Sequence, residues 1–529
     1  MNKHSVKRTR VDEDDDDGSG IITDRLSQFP QHILHHILSL LPQKDAVRTC
    51  VLSKSWRYLW HGRLNVEFRD NCLARKNDFW SFLDKTLQRY LDQNLSLHKF
   101  IVEIHSVAVD FALLNKWIPL LIMNMGVRSF NLIFHESIIF FPLPLVVFQS
   151  ESLVELHLKK CDLKSTFNVM LNNLQTLRLH FVYITDEIFD NIISGCPLIE
   201  NLDMLFCSGL KSIKLRKHSN IKNFACIMLG EIIIETENPQ ILESVSIQNC
   251  RDWFIRHRNT HFPHLKSLKL HRLQLPETFD NFSSFFPCLN ELILESCHGL
   301  KEFRLLSSSI TRLIIKMYSI NPGKRIKAFI DTPNIRYFEY SGHDFLPSIK
   351  FTTTSNEWKS QINLCYTLEP SDNDATAWFL KLNKLLKALS QSHITLTLAP
   401  YEYKKLHIND SYGGFYKPVV VEHLKLWGFY PSYFDPAILN CLFRIFRPRY
   451  IQMENGLAKF NLAEYISKLI PDETRCYFWL QDLEEISTEV GNVEANEWHR
   501  VQTTSLPALL NQQQIRFRLT WKEQLSKFT

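Results

Sequence analysis

The first hydrophobic pattern in the chain lies near its amino terminus and has the period of a helix. Its apolar side chains share one helix face, at three- and four-residue spacing: Ile33, Leu34, Ile37, Leu38 and Leu41. Pro30 suits the first turn of a helix, where a missing N–H costs nothing. The pattern therefore predicts a helix that begins near Pro30 and is ended by Pro42.

Two more short helices are predicted directly after it. Asp45–Leu52 carries apolar residues at helical spacing, and Ser53 is a suitable N-cap for a third helix with Trp56, Leu59 and Trp60. Three helices in about 40 residues cannot bury this much apolar surface among themselves, because domains of that size usually need a staple or a partner. We expect the excess to pack against the rest of the chain or against another protein.

Beyond residue 150 a second pattern repeats along the chain. Leu153-x-x-Leu156-x-Leu158 returns as Leu174-x-x-Leu177-x-Leu179. Clear copies begin at Leu153, Leu174, Ile199, Leu242, Leu265, Leu289 and Ile310, and weaker copies begin at Ile221 and Ile335. The intervals of 21 to 25 residues are those of leucine-rich repeats. The copies predict short parallel strands that stack into a solenoid, because no single turn can bury its apolar face alone.

Side chains alternate between the two faces of a strand, so the residues between the repeat leucines should point outward. These outward residues are the predicted contacts to a target protein: Glu155, His157, Arg178, His180, Asp203, Lys269, His271, Glu291 and Arg312. Their charges have both signs. The face therefore does not indicate a strongly one-signed partner, and alternation alone would also place polar residues there.

Four cysteines fall at one repeat position. Cys161, Cys207, Cys250 and Cys297 each lie eight positions after the first apolar residue of their copy. Because this position recurs once per turn, the four thiols should be spread along the solenoid axis. We therefore predict buried structural thiols rather than a metal or redox site.

Regularity fades after about Tyr340. Helices are predicted over 375–389, 438–446 and 462–470, strands over 394–400 and 514–521, and a loop at 412–414. The repeat pattern returns once, at Val421-x-x-Leu424-x-Leu426. This third of the chain is interpreted as degenerate repeats with an irregular α/β cap, which a repeat stack needs to protect its end.

Composition narrows the class of protein. The chain has 529 residues, 45% of them apolar, and a net charge of +5 without a dense basic stripe, so nucleic acid is not indicated as a partner. Residues 1–20 combine basic residues with an acidic run and Gly-Ser-Gly, which predicts a disordered tail. Neither a signal peptide nor a membrane-spanning run is evident, so we expect free thiols and a location in the nucleus, the cytoplasm or both.

No cofactor or catalytic site is predicted. The chain lacks a P-loop, a GxGxxG after a strand, a GxSxG elbow and an HExxH motif. His32, His35 and His36 lie on the first predicted helix, and two of them share a face as zinc-binding histidines do. No third ligand is indicated nearby, so solvated histidines are the preferred interpretation and no metal is predicted.

The amino-terminal motifs resemble a known family. The motif begins with Asp24-Arg25-Leu26-Ser27-Gln28-Phe29-Pro30 and continues with the apolar pattern after it. It ends with Val51-Leu52-Ser53-Lys54, followed by Trp56-Arg57 and Leu59-Trp60. Together these residues resemble an F-box of the plant F-box/leucine-rich-repeat family. Phe29 stands where the family usually has Leu, and Ser55 where it often has Arg. The repeats resemble the same family over Asn173–Leu179, Ser194–Leu202 and Cys207–Ile213.

This resemblance implies a function in protein ubiquitination. The F-box would dock on a Skp-type adaptor and, through it, on a cullin/RING ligase core. By analogy with the family, the residues that touch the adaptor include Pro30, Ile33, Leu34, Ile37, Leu52, Trp56 and Trp60. The repeats would bind an unknown target protein, and the chain itself would be a non-catalytic subunit of an SCF-type ligase.

The expected fold class is α/β, with this domain order: a charged tail (1–20), a three-helix F-box (21–67), a lead-in (68–152), leucine-rich repeats with a curved parallel sheet (153–345), and degenerate repeats with a cap (346–529). Two other functions stay open. One is a repeat scaffold without ligase function. The other is a cysteine-based ubiquitin ligase that would use Cys365 or Cys476.

Overall fold

A computed structural model describes most of the chain. The described residues are 29–41, 43–72, 76–107, 109–136, 140–163, 168–216, 220–251, 253, 260–275, 282–299, 302–317, 327–342, 346–352, 357–366, 375–400, 418–427, 437–453, 478–492, 497–501 and 514–522. The predicted tail, residues 1–20, lies outside them, as do the predicted loop at 412–414 and the predicted helix at 462–470. The chain forms two compact units, Met1–Asn131 and Leu132–Thr529.

The first unit begins with the three predicted helices. They are α1 (Gln31–Leu40), α2 (Gln43–Arg48), which runs into a 3-10 turn (Thr49–Val51), and α3 (Lys54–His61). The Pro30 carbonyl accepts the Ile33 N–H at 2.9 Å, so Pro30 occupies the N-cap of α1. Ser53 caps α3, because its hydroxyl accepts the Trp56 N–H at 3.3 Å.

An α/β layer completes the first unit. It comprises β1 (Asn65–Arg69), α4 (Lys76–Asp92), β2 (Lys99–Ile104) and α5 (Phe111–Met123). β1 and β2 pair in parallel. The Asp84 carboxylate on α4 accepts hydrogen bonds from Lys116 (2.9 Å) and from the buried Trp117 indole (2.8 Å), and so ties α4 to α5.

The second unit is dominated by one parallel sheet, whose strands follow β3 (Ser129–Phe134) along the chain. Its first nine strands, in spatial order, are β5 (Glu155–Lys159), β7 (Thr176–His180), β8 (Asn201–Cys207), β10 (Asn223–Thr236), β11 (Ser244–Cys250), β12 (Ser267–His271), β13 (Glu291–Glu295), β15 (Arg312–Met317) and β17 (Tyr337–Gly342). All nine predicted repeat copies supply one strand each, so the predicted repeat fold is confirmed.

The strand register explains why the leucine spacing is kept. The second apolar position of each copy pairs with its counterpart in the next strand, as Leu156 does with Leu177 and Leu177 with Leu202. The third position does the same, as Leu158 does with Leu179. Residues at these positions are buried along the whole stack. Each turn therefore buries its apolar face only against its neighbours.

A left-handed residue lies at the end of the strand or directly after it in six of these turns. Positive φ values of 51° to 56° recur seven positions after the first apolar residue of a copy: Lys160, Phe181, Phe206, Asn249, Arg272 and Ser296. Left-handed backbone is uncommon for residues other than glycine. It turns the chain so that the next side chain points inward, and four of those next residues are the cysteines of the predicted slot.

Smaller elements cover the other side of the turns. Two of them are helices, α6 (Asp186–Ser194) and α7 (Phe282–Phe285). Two short strands, β4 (Phe141–Pro142) and β6 (Cys161–Asp162), pair with each other, and β9 (Ser212–Leu215) pairs with the end of β10. A three-stranded parallel sheet consists of β14 (Glu302–Leu306), β16 (Lys327–Asp331) and β18 (Ser348–Thr352).

The parallel sheet continues for four strands beyond residue 345. These are β19 (Lys359–Tyr366), β20 (His393–Pro400), β21 (Val419–Leu426) and β22 (Phe446–Met453). The predicted helices appear between them as α8 (Ala375–Ala388) and α9 (Ala437–Ile445). These helices lengthen the turns, and the 21- to 25-residue period is therefore lost from the sequence while the sheet goes on.

The sheet ends in antiparallel strands. β25 (Gln514–Trp521) pairs with β22 and with β23 (Leu483–Asn492), which in turn pairs with β24 (Glu497–Val501). These strands lie in the region predicted as an α/β cap, and the part that the structure describes is antiparallel sheet. Among the described residues, no helix is long and apolar enough to cross a membrane.

Candidate functional site

The three amino-terminal helices have a small core and an apolar outside. Their core consists of Leu34, Leu38, Ala46, Trp56 and Leu59. Large apolar side chains remain exposed around it: Phe29, Ile33, Leu40, Val47, Val51, Leu52 and Tyr58. Val51 is 86% and Leu52 57% exposed. We call these seven residues the apolar rim. Exposed apolar surface of this kind marks a contact site for another protein.

The seven predicted adaptor contacts fall into three groups. Pro30, Ile33 and Leu52 are exposed, Ile37 and Trp60 are half-buried against the core, and Leu34 and Trp56 are core residues. The structure brings the first group to the surface of one helical module. Contact of all seven with an adaptor stays a prediction, and substitutions of Leu34 or Trp56 would alter folding as well as any contact.

Trp60 is held from one side by Arg63. The guanidinium carbon lies 3.6 Å from the centre of the indole ring, which is a cation–π contact. Burial lowers the pKa of Arg63 to about 10, a value that leaves the side chain charged at neutral pH. The contact fixes the Trp60 ring and shields part of it.

The histidines of α1 do not share one environment. His32 and His36 are exposed, in agreement with the preferred solvated interpretation. His35 is half-buried, and burial lowers its pKa.

The outward residues of the parallel sheet form three rows that run across the strands. Glu155, Glu291 and Arg312 lie in the first row, His157, Arg178, Asp203 and Lys269 in the second, and His180 and His271 in the third. All nine predicted target contacts therefore share one face, which we call the open sheet face.

Four of the nine form a histidine cluster on β5, β7 and β8. His157 Nε2 lies 3.1 Å from His180 Nδ1, and His180 Nε2 lies 3.3 Å from the Asp203 carboxylate. Arg178 stands between His157 and Asp203 in the register. Burial, together with the nearby His180 and Arg178, lowers the pKa of His157 to about 4, so its ring is neutral at pH 7.

Three others belong to a carboxylate network on β12, β13 and β15. The Glu291 carboxylate accepts the Ser267 hydroxyl at 2.8 Å and lies 3.1 Å from Arg312 and 3.3 Å from Lys269. Arg312 also stacks over the Tyr337 ring at 4.5 Å. These charges are paired within the protein itself.

Part of the open sheet face consists of residues that were not predicted from the sequence. The Tyr337 hydroxyl donates to Glu339 at 2.8 Å and lies 3.1 Å from the side chain of Gln361, which extends the carboxylate network beyond the predicted residues. Ile293 and Ile314 occupy outward positions between Lys269 and Glu339 in the register, although they are apolar. Aligning the predicted copies would have placed Ile293, Ile314, Tyr337 and Glu339 on the face, but not Gln361, which follows the last copy.

The cysteines of the repeat slot are buried, as predicted. The Cys207 thiol donates to the Leu179 carbonyl at 3.1 Å and the Cys297 thiol to the Leu270 carbonyl at 3.3 Å. Burial raises the pKa of both thiols to about 11 and raises the pKa of Cys161 as well. Such thiols are weak nucleophiles.

Comparison with known families matches both regions. The F-box domain family matches residues 26–66, and the leucine-rich-repeat domain described as At1g61320/AtMIF1 matches residues 92–348.

Curated relatives come from Arabidopsis thaliana. F-box/LRR-repeat protein At3g59200 is 35% identical over 215 residues, which cover 36% of this chain and 40% of that protein. F-box/FBD/LRR-repeat protein At1g13570 is 29% identical over 192 residues, covering 35% of this chain and 45% of that protein. F-box/LRR-repeat protein 25 is 30% identical over 203 residues, covering 37% of this chain and 72% of that protein. The match thus spans less than half the length of the first two relatives.

Proposed function

This chain belongs to the plant F-box/leucine-rich-repeat family, and we propose that it is the substrate-recognition subunit of an SCF-type cullin ubiquitin ligase. In this proposal the F-box helices dock on a Skp-type adaptor and the open sheet face binds the target protein. The observation that carries it is the apolar rim, whose exposed side chains surround a core of five buried residues. An adaptor would cover this surface.

Such a subunit acts through proximity. Holding the target near the ubiquitin-charged enzyme lowers the entropic cost of their encounter, and no covalent step on this chain is needed. Proteins of this family are generally non-catalytic adaptors. The raised pKa values of Cys161, Cys207 and Cys297 accord with this role, because a nucleophilic cysteine needs a lowered pKa.

The test compares two leucines that are both exposed. Leu52→Asp places a charge in the apolar rim, whereas Leu229→Asp places one on a 67% exposed side chain of β10. Binding of purified full-length chain to a plant Skp-type adaptor is measured by calorimetry. We expect Leu52→Asp to weaken binding roughly 30-fold or more, as at an interface hot spot, and Leu229→Asp to leave it unchanged. Equal binding by both variants would contradict the proposal.

The same preparation addresses the two other functions. A chain that stays soluble and monomeric and does not bind the adaptor would indicate a repeat scaffold without ligase function. A cysteine-based ligase would form a ubiquitin adduct that a reducing agent removes. Cys365 on β19 is half-buried, and Cys476 lies outside the described residues.

A further inference from the structure

The edge of the open sheet face carries an exposed aromatic pair. Phe181 directly follows the end of β7, and Phe206 is the last residue but one of β8. Both occupy the left-handed position of their turn, and the two turns are adjacent. Their rings stack with centroids 5.0 Å apart and remain 37% and 36% exposed. Lys159 lies 5.7 Å from the Phe181 ring.

The fold does not require phenylalanine at this position. The same backbone conformation is adopted by Lys160, Asn249 and Arg272 in other turns, all of them polar. A large apolar side chain in a left-handed conformation is unusual, and strained residues often accompany binding sites. The pair therefore supplies something other than backbone geometry, and exposed aromatic rings are typical anchors of protein interfaces.

An arginine of the same open sheet face, Arg178, lies on β7 three residues before Phe181. In the part of the chain that the structure describes, its guanidinium makes no hydrogen bond or ion pair. Asp203 is opposite it in the register, but its Oδ2 is in contact with His180 instead. A half-buried guanidinium without a carboxylate is costly, because its lost hydration is not replaced.

Asp203 uses one carboxylate oxygen in the histidine cluster, and its other oxygen is buried without a hydrogen-bond partner. The His157 Nε2–H can donate to His180 Nδ1, and the His180 Nε2–H can then donate to Asp203. This series of hydrogen bonds orients the Asp203 carboxylate toward His180. The guanidinium is left available for a carboxylate from outside, in contrast to Arg312, which is paired with Glu291.

We propose that Arg178 and the Phe181–Phe206 pair form one binding site for an acidic segment of the target protein, in which an apolar side chain packs on the two rings and a carboxylate pairs with the guanidinium. The proposal rests on the proposed function, because it names the segment that a target would present. Arg178 precedes Phe181 by three residues, which is about 10 Å along a strand. An extended peptide would match this distance with an acidic residue about three positions from its apolar anchor.

The test uses a library of random 12-residue peptides displayed on phage and selected on purified full-length chain. We expect enriched peptides to carry Asp or Glu about three positions from an aromatic or large aliphatic residue. Selection that yields no common motif, or a motif without an acidic residue, would overturn the proposal.

Two variants and two matched controls complete the experiment. Arg178→Gln should weaken an enriched peptide roughly 10-fold or more, whereas Lys269→Gln, in the same row of the face, should not. Phe181→Asn introduces the residue found at the equivalent position 249, which keeps the left-handed backbone, and should also weaken binding roughly 10-fold or more. Arg272→Asn is its control. Unchanged peptide binding by Arg178→Gln and Phe181→Asn would overturn the proposed site.

Adaptor binding separates the two proposals. Arg178→Gln and Phe181→Asn should bind the adaptor as the wild type does. A chain that binds the selected peptides through these residues but binds no adaptor would contradict the ligase proposal alone. A chain that binds the adaptor but selects no acidic peptide would contradict this site alone.

Discussion

The F-box helices and the repeat sheet solve the problem of burying apolar surface in opposite ways. The helices enclose five buried residues and leave a rim of seven large apolar side chains exposed. The sheet buries its apolar positions against the neighbouring turns and presents mainly polar side chains outward. We propose that a partner completes the first region, whereas repetition completes the second.

The difference also indicates what each surface can recognise. An apolar rim gives affinity with little selectivity for charge, which suits a constant partner such as an adaptor. The open sheet face carries charges at defined register positions, some paired internally, as Glu291 is with Arg312, and some without an ion pair among the described residues, as Arg178 is. Charges that are placed in this way favour one target over another.

The largest expected effect is on the core of the F-box helices. Trp56→Ala removes a side chain that is 2% exposed and should destabilise the module by about 3–5 kcal/mol. So small a core should not tolerate that loss, and amide exchange in α1 and α3 should accelerate while exchange in the repeat strands is unchanged. Tyr58→Ala, on the exposed face of α3, is the control and should leave exchange unaltered. Protected α1 amides in Trp56→Ala would argue against a marginal module.

A comparable substitution in the sheet should have a more limited consequence. Leu270→Ala should cost about 2–5 kcal/mol, but the repeat turns on either side keep most of their contacts. We expect a lower midpoint in urea with strands far from β12 still protected. Lys269→Ala, its exposed neighbour, breaks only a partly exposed ion pair and should cost less than about 1 kcal/mol. Loss of protection along the whole sheet in Leu270→Ala would show that the turns unfold together.

Much of this contrast could be predicted from the sequence. The three helices and the nine repeat strands followed from the spacing of apolar residues, which depends only on nearby positions in the sequence. The Ser53 cap followed from the residue type that precedes the third helix. The cysteine slot followed from counting within each copy.

The remainder depends on contacts between segments. The period was lost beyond residue 345 because α8 and α9 lengthen the turns, although the sheet continues. Which helical residues are core and which are exposed could not be assigned, since Ile33 and Leu34 are adjacent and equally apolar. The aromatic pair could not be predicted either, because the stacking of Phe181 on Phe206 is a contact between two separate turns.

A smaller effect is expected at a buried carboxylate of the first unit. Asp70 accepts the backbone N–H groups of His105 and Ser106, each at 2.8 Å. Burial alone would raise the pKa of Asp70, but these hydrogen bonds outweigh it and the pKa is lowered. Asp70→Asn should therefore destabilise the unit by about 1–3 kcal/mol at neutral pH.

The pH dependence gives the sign of this effect. A lowered pKa means that the carboxylate stabilises the fold at neutral pH and that this stabilisation is lost as the pH falls through the folded-state pKa. The gap between wild type and Asp70→Asn in thermal unfolding should thus narrow in acid, while the exposed Asp92→Asn stays near wild type throughout. A gap that widens in acid would show that Asp70 does not act as a charged acceptor.

The mildest comparison needs no destabilising substitution and measures thiol labelling at neutral pH. Cys50 lies half-buried in the F-box helices and Cys207 is buried in the sheet, and burial raises the pKa of both thiols, that of Cys207 to about 11. Labelling then follows local opening, so Cys50 should react well before Cys207. The exposed Cys288 is the fast reference, and Cys50→Ser assigns the signal.

Adaptor binding should slow the labelling of Cys50 and leave that of Cys207 and Cys288 unaltered, because it would stabilise only the module that it completes. Equal rates for Cys50 and Cys207 without adaptor would mean that the small helical core opens no more readily than the repeat stack.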